Sequence, residues 1–535
     1  MGGMGLDVIF IERLKTDDSF KHELPDCRRY SQRRRQSMKQ RMTWMILAMA
    51  LVSIAVAGPV FAAGDTLVVI QEAEPVGLDI MQSSIQTTMS VGYNINDTLL
   101  KPQEDATVKP GLAEKWEKVD DLTWKFTLIK GATFHNGEPI NAAAVKFSFD
   151  RIMSDALKSP HKGKLNSFKE IKVIDDHTFT ITMNQPYAPG LYMLAQYLFI
   201  VPPAYVQKVG DAEYNLNPIG SGAYKLDKWV KGQEILMSAY DKYYGPKPAY
   251  KKLIFKGIPE ESSRIAALLT GEADVISGVP VHQRKKIIDS GKAYLTDQMG
   301  SMNYLGLNTY EKPFSDVKVR QAINHAINRP LINKALFNDK AILCAGPISP
   351  RTMGADPALK PYAYDPALAK KLLAEAGYPD GFETRLAYGT YLPQIQEQAE
   401  VIASDLAKIG VKVTLEPFER AVMWDRYKNK LHQMFIYFWD DAPEPDRYMY
   451  SLFHSKSRDY YYKNETVDQL LDKGRSTMDP AARVQVYNEL DRYLYTDAPW
   501  VYLYVIPEVY AVSNAVDYKG LRDGYLIMNT AKPKK

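Results

Sequence analysis

The sequence has 535 residues, of which 46% are hydrophobic, with 67 Lys+Arg against 63 Asp+Glu and 2 Cys. This length gives room for about two to four domains with their own cores, and Gly and Pro at 32 each exclude collagen-like and low-complexity chains. A net charge of +4 is too small for electrostatic binding of nucleic acid by so long a chain. Two cysteines cannot form a disulfide scaffold or a cysteine-rich metal site.

The N-terminus has the pattern of an export signal. Arginines at 33–35 precede an apolar run at 44–56, which is too short to span a bilayer well. Small residues then predict cleavage near Ala62, so we expect a signal peptide over 1–62, with 1–37 as an overlong start, and a periplasmic mature chain. That mature chain carries 57 Lys+Arg and 57 Asp+Glu and has no cysteine at the cleavage point for a lipid anchor. An uncleaved membrane anchor is the alternative.

Helices and strands alternate in the first part of the mature chain. An apolar run predicts a strand at 67–70, and alternation of apolar and polar residues predicts half-buried strands at 122–129 and 178–183. Between these two strands Asn141 stands where a helix N-cap is expected, because apolar residues follow it at helical spacing.

The second half of the chain has the same mixed pattern. Asp365 and Asp479, each followed by a proline, predict helix starts. Another helix is predicted at 394–409, followed after Gly410 by a strand at 411–415. Such mixed elements indicate an α/β chain of several lobes.

Sequence signatures of catalysis are lacking. The chain contains no Gly-x-Ser-x-Gly elbow, His-Glu-x-x-His, Cys-x-x-Cys or phosphate loop. The segment 220–222 (GSG) lacks the third glycine of a dinucleotide fingerprint and is expected to be a tight turn before a strand. No histidines are paired at metal-ligand spacing. We therefore predict a non-enzymatic protein without metal or cofactor, although a catalytic triad assembled from distant residues remains an alternative.

A series of short motifs resembles the extracytoplasmic solute-binding proteins of the peptide/nickel class, family 5, which includes dipeptide- and oligopeptide-binding proteins. Each motif is weak alone, but together they occur in the family's order over most of the mature chain. They are 134–139 (FHNGEP), 144–151 (AVKFSFDR), 217–224 (NPIGSGAY), 264–268 (RIAAL) with 271–274 (GEAD), 304–308 (YLGLN), 317–323 (VKVRQAI), 346–350 (GPISP), 364–366 (YDP), 376–378 (AGY) and 499–504 (PWVYLY).

The resemblance implies an α/β, bilobal periplasmic-binding-protein fold, type II-like, with two lobes joined by a two-stranded hinge and an additional inserted domain. Lobe I would comprise 64–103, 215–303 and 506–535; the extra domain 104–214; and lobe III 304–505. The hinge would lie near 304–308 and 499–505. Closure of the lobes would bury the ligand and let a transporter distinguish loaded from empty protein.

The resemblance also places the ligand at the segment 437–446 (YFWDDAPEPD). Peptide-binding relatives have an aromatic residue on a strand edge, here Phe438, and an aspartate four residues before a proline, here Asp441, which binds the α-ammonium group of the ligand. Trp439 is a candidate for stacking on the ligand. The alternatives are a turn or helix cap for the aspartate and a core position for the tryptophan.

Further candidate contacts follow from the resemblance. On lobe I, the segment 84–87, with Ser84, Gln86 and Thr87, matches a loop whose backbone meets the peptide; an ordinary loop is the alternative. Trp500 and Tyr502 lie at the return hinge, where a core role is the alternative.

The sequence departs from the family pattern at the site for the free carboxylate. The arginine that dipeptide binders use there is replaced at 389–391 by Gly-Thr-Tyr, and Glu419-Arg420 replaces an expected Glu-Trp pair. We hypothesise that Arg420 provides the anion clamp instead; an exposed arginine is the alternative.

These residues predict the periplasmic substrate-binding component of an ABC importer. Its partners would be a short peptide or peptide-like ligand and a membrane permease with its ATPase subunits, and it would be a monomer that does not bind nucleic acid. Within the family, the open alternatives are a sugar, opine, nickel-chelate or antibiotic-precursor ligand. Outside it, they are a secreted hydrolase and a chaperone-like protein that holds unfolded chains.

Overall fold

The computed structural model describes residues 64–534, apart from 393, 458–460, 521–523 and the side chain of Met299. The predicted signal peptide lies outside the described residues. Within the described part of the chain, no helix is both long and apolar enough to cross a membrane.

The strands are given in chain order. They are β1 (Thr66–Gln71), β2 (Leu100–Pro102), β3 (Val108–Pro110), β4 (Ala113–Lys118), β5 (Thr123–Leu128), β6 (Phe168–Val173), β7 (Thr178–Met183), β8 (Tyr224–Val230), β9 (Glu234–Ala239), β10 (Lys252–Gly257), β11 (Val275–Ile276), β12 (Ala293–Leu307), β13 (Ile342–Leu343), β14 (Glu383–Gly389), β15 (Lys412–Phe418), β16 (Met434–Asp440), β17 (Trp500–Ser513), β18 (Val516–Asp517) and β19 (Lys532–Pro533).

The α-helices are likewise numbered along the chain, and short 3-10 turns occur at Ile80–Gln82, Pro445–Arg447 and Met528–Thr530. The helices are α1 (Gln86–Ile95), α2 (Ala142–Met153), α3 (Lys162–Leu165), α4 (Gly190–Tyr197), α5 (Pro203–Tyr214), α6 (Glu261–Thr270), α7 (Val281–Asp289), α8 (Val317–Ala326), α9 (Arg329–Phe337), α10 (Pro366–Glu375), α11 (Ile395–Ala407), α12 (Arg420–Lys428), α13 (Met449–Phe453), α14 (Glu465–Ser476) and α15 (Pro480–Asp497).

The long antiparallel strands β12 and β17 join two halves of one large mixed sheet. Its strand order is β15-β14-β16-β12-β17-β11-β1-β10-β9-β8, with β13 beside β17. On one side β14 pairs in parallel with β15 and β16, and on the other β1 pairs in parallel with β10 and β11. The register of β12 against β17 shifts between Asp297 and Gly300, between the two halves. This topology has the α/β class and the two-stranded connection that the sequence predicts.

A separate four-stranded antiparallel sheet, β4-β5-β7-β6, lies within the predicted extra domain. Its buried face packs into a hydrophobic core in which Phe126 of β5 and Phe179 of β7 stack with ring centroids 5.4 Å apart. Alternation of buried and less buried residues along β7 is the period-two pattern seen in the sequence. The boundaries proposed for the lobes and for this domain stay predictions.

The structure confirms several helix starts that were predicted from local sequence signals. Asn141, Asp365 and Asp479 each accept a hydrogen bond from the backbone N–H three residues later, at 2.9, 2.9 and 2.8 Å. Such caps satisfy backbone donors at the start of a helix that have no partner within it.

The glycine-rich segment at 220–222 is a tight turn directly before β8, as predicted. A Cβ atom on Gly220 would lie 2.1 Å from the carbonyl oxygen of Ile95, and the N–H of Gly222 donates to that oxygen at 2.8 Å. The glycines therefore permit close approach of two backbone segments.

Candidate functional site

The candidate site lies where β16 ends beside β12. Phe438 pairs with Asn303 of β12, and Asp440, the last residue of β16, pairs with Ser301. The N–H of the next residue, Asp441, donates to the carbonyl oxygen of Gly300 at 2.8 Å. This backbone pairing fixes Asp440 and Asp441 at the middle of the long strands, between the two halves of the sheet.

Asp441 is a buried carboxylate with weak contacts. Its relative exposure is 3%, the nearest cationic atom is Nε of Arg351 at 3.5 Å, and Oγ1 of Thr352 donates to it at 3.4 Å. Burial raises the pKa of Asp441, while Ser349, Arg351, Thr352 and Arg447 act in the opposite direction. A buried carboxylate is costly without close partners, so this group can accept a further cationic donor.

The two following acidic residues are fully paired. Glu444 receives hydrogen bonds from Arg483 at 2.6 and 2.8 Å, and Asp446 receives them from Arg475 at 2.7 and 3.0 Å. These short two-contact pairs hold the loop in place. Within the acidic motif, therefore, Asp441 differs from Glu444 and Asp446 because its ion-pair partner is at a long distance.

The predicted extra domain contacts the predicted lobe III beside this loop. The hydroxyl of Tyr187 donates to Asp446 at 3.2 Å, and the N–H of Ala188 donates to the carbonyl oxygen of Arg475 at 2.7 Å. The candidate site is thus bordered by the predicted lobe III and by the predicted extra domain.

Gln86 belongs to the predicted lobe I. At the start of α1, its Nε2 donates to Glu508 of β17 at 2.8 Å and to the carbonyl oxygen of Gly524 at 2.7 Å. Burial raises the pKa of Glu508 to about 8; the hydrogen bond from Gln86 opposes this shift, and the nearby carboxylates of Glu72 and Asp440 add to it. Gln86 therefore donates to a carboxylate whose pKa is also raised by the charge of Asp440, the last residue of β16.

The rest of the lobe I segment forms the approach to α1. Ser84 is exposed and Thr87 is half-buried, and the carbonyl oxygen of Thr87 accepts a hydrogen bond from Gln71 at 3.3 Å. The neighbouring Ile85 is 49% exposed. Contact of this segment with a ligand stays a prediction.

Phe438 and Trp439 are both half-buried on β16. The ring of Phe438 stacks on that of Tyr437 with centroids 5.6 Å apart, and Trp439 pairs with Met302 of β12. Both residues directly precede the aspartates, which is compatible with ligand contact and with the packing of a strand end.

Arg420 lies at the start of α12, where it is exposed and its guanidinium carbon is 5.3 Å from the ring centroid of Tyr391. This cation–π contact connects Arg420 to the position where dipeptide binders carry their arginine. Arg420 contacts Tyr391, whereas the cation nearest to Asp441 is Arg351, and the anion-clamp role of Arg420 stays a hypothesis.

Trp500 and Tyr502 are each only 2% exposed. Trp500 stacks on Tyr304 with ring centroids 3.7 Å apart, and the hydroxyl of Tyr502 donates to the carbonyl oxygen of Leu494 at 2.6 Å. These contacts are those of residues packed in the protein core, which was the alternative to ligand contact for both residues. Contact of either residue with a ligand stays a prediction.

Sequence reasoning missed Arg351, Arg447 and Glu508. Arg447 directly follows the acidic motif, and Arg351 directly follows the motif at 346–350, so adjacency to a motif was an available signal. Glu508 carried no local signal, because only the pairing of β12 with β17 places it near Asp440. In the described part of the chain no group of three or more His, Cys, Asp or Glu side chains could hold a metal ion.

Comparison with known proteins identifies the family of this chain. The model of bacterial extracellular solute-binding proteins, family 5 Middle, matches residues 107–460. The chain belongs to this family. The dipeptide-binding protein of Escherichia coli strain K12 is a family 5 relative with 31% identity over 490 residues, or 85% of this chain and 91% of that protein.

Solved structures show the same fold. The ABC transporter-associated periplasmic binding protein DppA of Helicobacter pylori, in complex with the peptide STSA, matches with a TM-score of 0.73 and 29% identity over 88% of this chain and 98% of that chain. The binding protein AgaA of A. tumefaciens R10, in complex with agropinic acid, matches with a TM-score of 0.72 and 29% identity over 88% of this chain and 99% of that chain. The predicted bilobal fold of family 5 is confirmed.

Proposed function

We propose that this chain is the substrate-binding component of an ABC importer and that it captures short peptides or peptide-like solutes between lobe I and lobe III. The E. coli relative is a dipeptide-binding protein, and the H. pylori relative is ABC transporter-associated and holds a peptide. In this proposal the family 5 chain acts by binding and release, without catalysing a reaction.

The observation that carries the peptide assignment is the environment of Asp441. A carboxylate that is 3% exposed, with its ion-pair partner 3.5 Å away, lacks the close pairing that its neighbours Glu444 and Asp446 have. The α-ammonium group of a peptide would supply that pairing through charge-assisted hydrogen bonds. Hydrogen bonds between the peptide backbone and the strand end near Phe438 would add affinity that does not depend on the side chains of the peptide.

The cellular setting follows from the same proposal. A signal peptide cleaved near Ala62 would release the mature chain into the periplasm, where it would act as a monomer. The loaded form would dock on a membrane permease with its ATPase subunits, because only the closed lobes present the docking surface in its productive arrangement.

Native mass spectrometry of gently purified mature protein would test the proposed ligand class. Co-purified masses that match two- to five-residue peptides are the expected result. A single non-peptide mass would overturn the peptide assignment and leave solute binding intact. If the protein is empty, a melting-shift screen with defined dipeptides gives the same test, since a bound ligand raises the melting temperature.

An opine-like ligand is the second candidate. AgaA, with 29% identity, was solved with agropinic acid, and the arginine that dipeptide binders use for the free carboxylate is replaced by the segment 389–391. Fragmentation of the co-purified molecule in the same measurement separates this candidate from a peptide, because an opine has no peptide bond between amino acids to cleave.

A further inference from the structure

Asp491 is a buried carboxylate of α15 that binds one segment of the predicted lobe III, residues 346–356, at two separate points. Its relative exposure is 2%. Its Oδ1 accepts a hydrogen bond from the N–H of Ile348 at 3.2 Å, and its Oδ2 accepts one from the N–H of Asp356 at 3.0 Å. The two oxygens of one carboxylate thus attach both ends of the 346–356 segment to α15.

The fit of Asp491 against this segment is close. A Cβ atom on Gly346, the first residue of the family motif at 346–350, would lie 2.3 Å from Oδ1 of Asp491, so that glycine is required there. Burial raises the pKa of Asp491 to about 7, and the bonds from Asp356 and Ile348 act in the opposite direction. A buried ionised carboxylate accepts at both oxygens, whereas an amide would offer one acceptor oxygen and a donor. The double attachment therefore depends on the carboxylate.

The middle of the same segment forms the surroundings of Asp441. Nε of Arg351 lies 3.5 Å from the carboxylate of Asp441, and Oγ1 of Thr352 donates to it at 3.4 Å. The N–H of Met353 donates to the carbonyl oxygen of Pro443 at 2.9 Å. The 346–356 segment thus lies between α15 on one side and the acidic motif on the other.

Arg351 is held at a distance from Asp441. Its Nη2 donates to the carbonyl oxygen of Gln298 in β12 at 2.9 Å. Opposite charges in a buried setting favour a short contact, as in the Arg483–Glu444 pair at 2.6 Å. Attachment of the segment at both of its ends, together with the Gln298 contact, accounts for the longer Arg351–Asp441 distance.

We propose that Asp491 is a positioning residue for the ligand site, because it holds the 346–356 segment where Arg351 cannot close on Asp441. This inference rests on the proposed function and adds to it an internal competitor for the ammonium group of the ligand. Without both bonds to Asp491 the segment relaxes and Arg351 forms a short ion pair with Asp441. The ligand must then displace the arginine, and its affinity falls.

The test is titration calorimetry of the full mature protein with dialanine at about pH 8, where Asp491 is ionised. Asp491→Asn keeps the shape but only one acceptor oxygen, and it should weaken binding about ten-fold. Adding Arg351→Gln to this variant should restore the affinity to within about three-fold of wild type, because the competing charge is gone. A general loosening of the fold would not be repaired by a second substitution at Arg351.

Asp405→Asn is the matched control. Asp405 is also 2% exposed and accepts a backbone hydrogen bond, from Asn328 at 2.9 Å, but it does not bond the 346–356 segment. Its loss should lower the melting temperature and leave the affinity for dialanine unchanged. Unchanged affinity of Asp491→Asn, no restoration by Arg351→Gln, or an equal loss of affinity in Asp405→Asn would each overturn the inference.

A crystal structure of ligand-free Asp491→Asn gives a readout that needs no ligand. The distance from Nε of Arg351 to the carboxylate of Asp441 should shorten to about 2.8 Å, and a distance that stays at 3.5 Å would overturn the positioning role. Failure of wild type to bind dialanine or any other defined dipeptide would instead contradict the proposed peptide function, and this distance then judges Asp491 by itself.

Discussion

Nε of Arg351 lies 3.5 Å from the carboxylate of Asp441, although both side chains are buried or nearly so. In the same loop the Arg483–Glu444 contact is 2.6 Å. The longer distance leaves room for a second cation at Asp441, and this difference between two neighbouring acidic residues motivates the first prediction.

Asp441→Asn is expected to weaken dipeptide binding by about ten-fold or more, since a charge-assisted hydrogen bond contributes about 1.5–3 kcal/mol. Its melting temperature should change little, because the variant removes a buried charge and keeps the shape. Asp440→Asn is the matched control, as this exposed neighbour should change affinity less than about three-fold. Equal affinity of wild type and Asp441→Asn in titration calorimetry would contradict the ammonium assignment.

Glu508 should make stability depend on pH. Its ordinary pKa is 4.5, and burial raises it to about 8, with Glu72 and Asp440 adding to the shift and Gln86 and Arg284 opposing it. The folded state therefore binds more protons than the unfolded state between these pH values, and the free energy of unfolding falls as pH rises from about 4.5 to about 8.

Glu508→Gln removes this penalty and keeps an acceptor for Gln86. The melting temperature of the variant relative to wild type should rise by a few degrees between pH 5 and pH 8.5. The exposed Glu397→Gln should show no such trend. Parallel melting curves of Glu508→Gln and wild type at both pH values would contradict the raised pKa.

Glu444→Ala is expected to destabilise the protein strongly. It leaves the guanidinium of Arg483 without its carboxylate, and the two residues are only 5% and 1% exposed. Loss of one partner from a buried ion pair costs about 3–5 kcal/mol, which urea unfolding would measure. Asp289→Ala, in an exposed pair with Lys285, should cost less than about 1 kcal/mol. A similar small cost for both variants would show that the Glu444 pair does not stabilise the loop.

Tyr187→Phe should weaken ligand binding without unfolding the protein. The lost hydroxyl joins the predicted extra domain to Asp446 of the predicted lobe III at 3.2 Å, and one hydrogen bond contributes about 0.5–1.5 kcal/mol. If the contact stabilises the closed form, affinity should fall about two- to ten-fold in calorimetry. Tyr205→Phe, whose hydroxyl bonds Asn217 at 2.9 Å away from lobe III, should leave affinity unchanged. An equal change of ligand affinity in the two variants would show that the Tyr187 contact does not stabilise the closed form.

The fluorescence of Trp439 and that of Trp500 should respond differently to ligand binding. Trp439 is half-buried at the end of β16, whereas Trp500 is 2% exposed and stacked on Tyr304. Trp439→Phe is therefore expected to remove most of the ligand-induced change in tryptophan fluorescence, and Trp500→Phe to preserve it while lowering the melting temperature. The reverse pattern would place the ligand at the return hinge.

Helix starts, strands and the acidic motif could be read from the sequence because they depend on residues close together in the chain. Asn141, Asp365 and Asp479 cap helices through bonds that span three residues. The period-two segment at 178–183 forms β7 because side chains alternate between the two faces of a strand. The family motifs and the position of Asp441 could likewise be recognised from short stretches of consecutive residues.

Only the tertiary structure decided the charge environment of the site. Arg351 stands 90 residues before Asp441 in the sequence, and no local pattern reports that these two side chains meet. Pairing energies depend on distance and on exclusion of water, which the fold sets when it brings β12, β16 and β17 together. The sequence therefore determined the family and the position of the Asp441 carboxylate, whereas the tertiary structure determined that the cationic partner of Asp441, Arg351, lies 3.5 Å away.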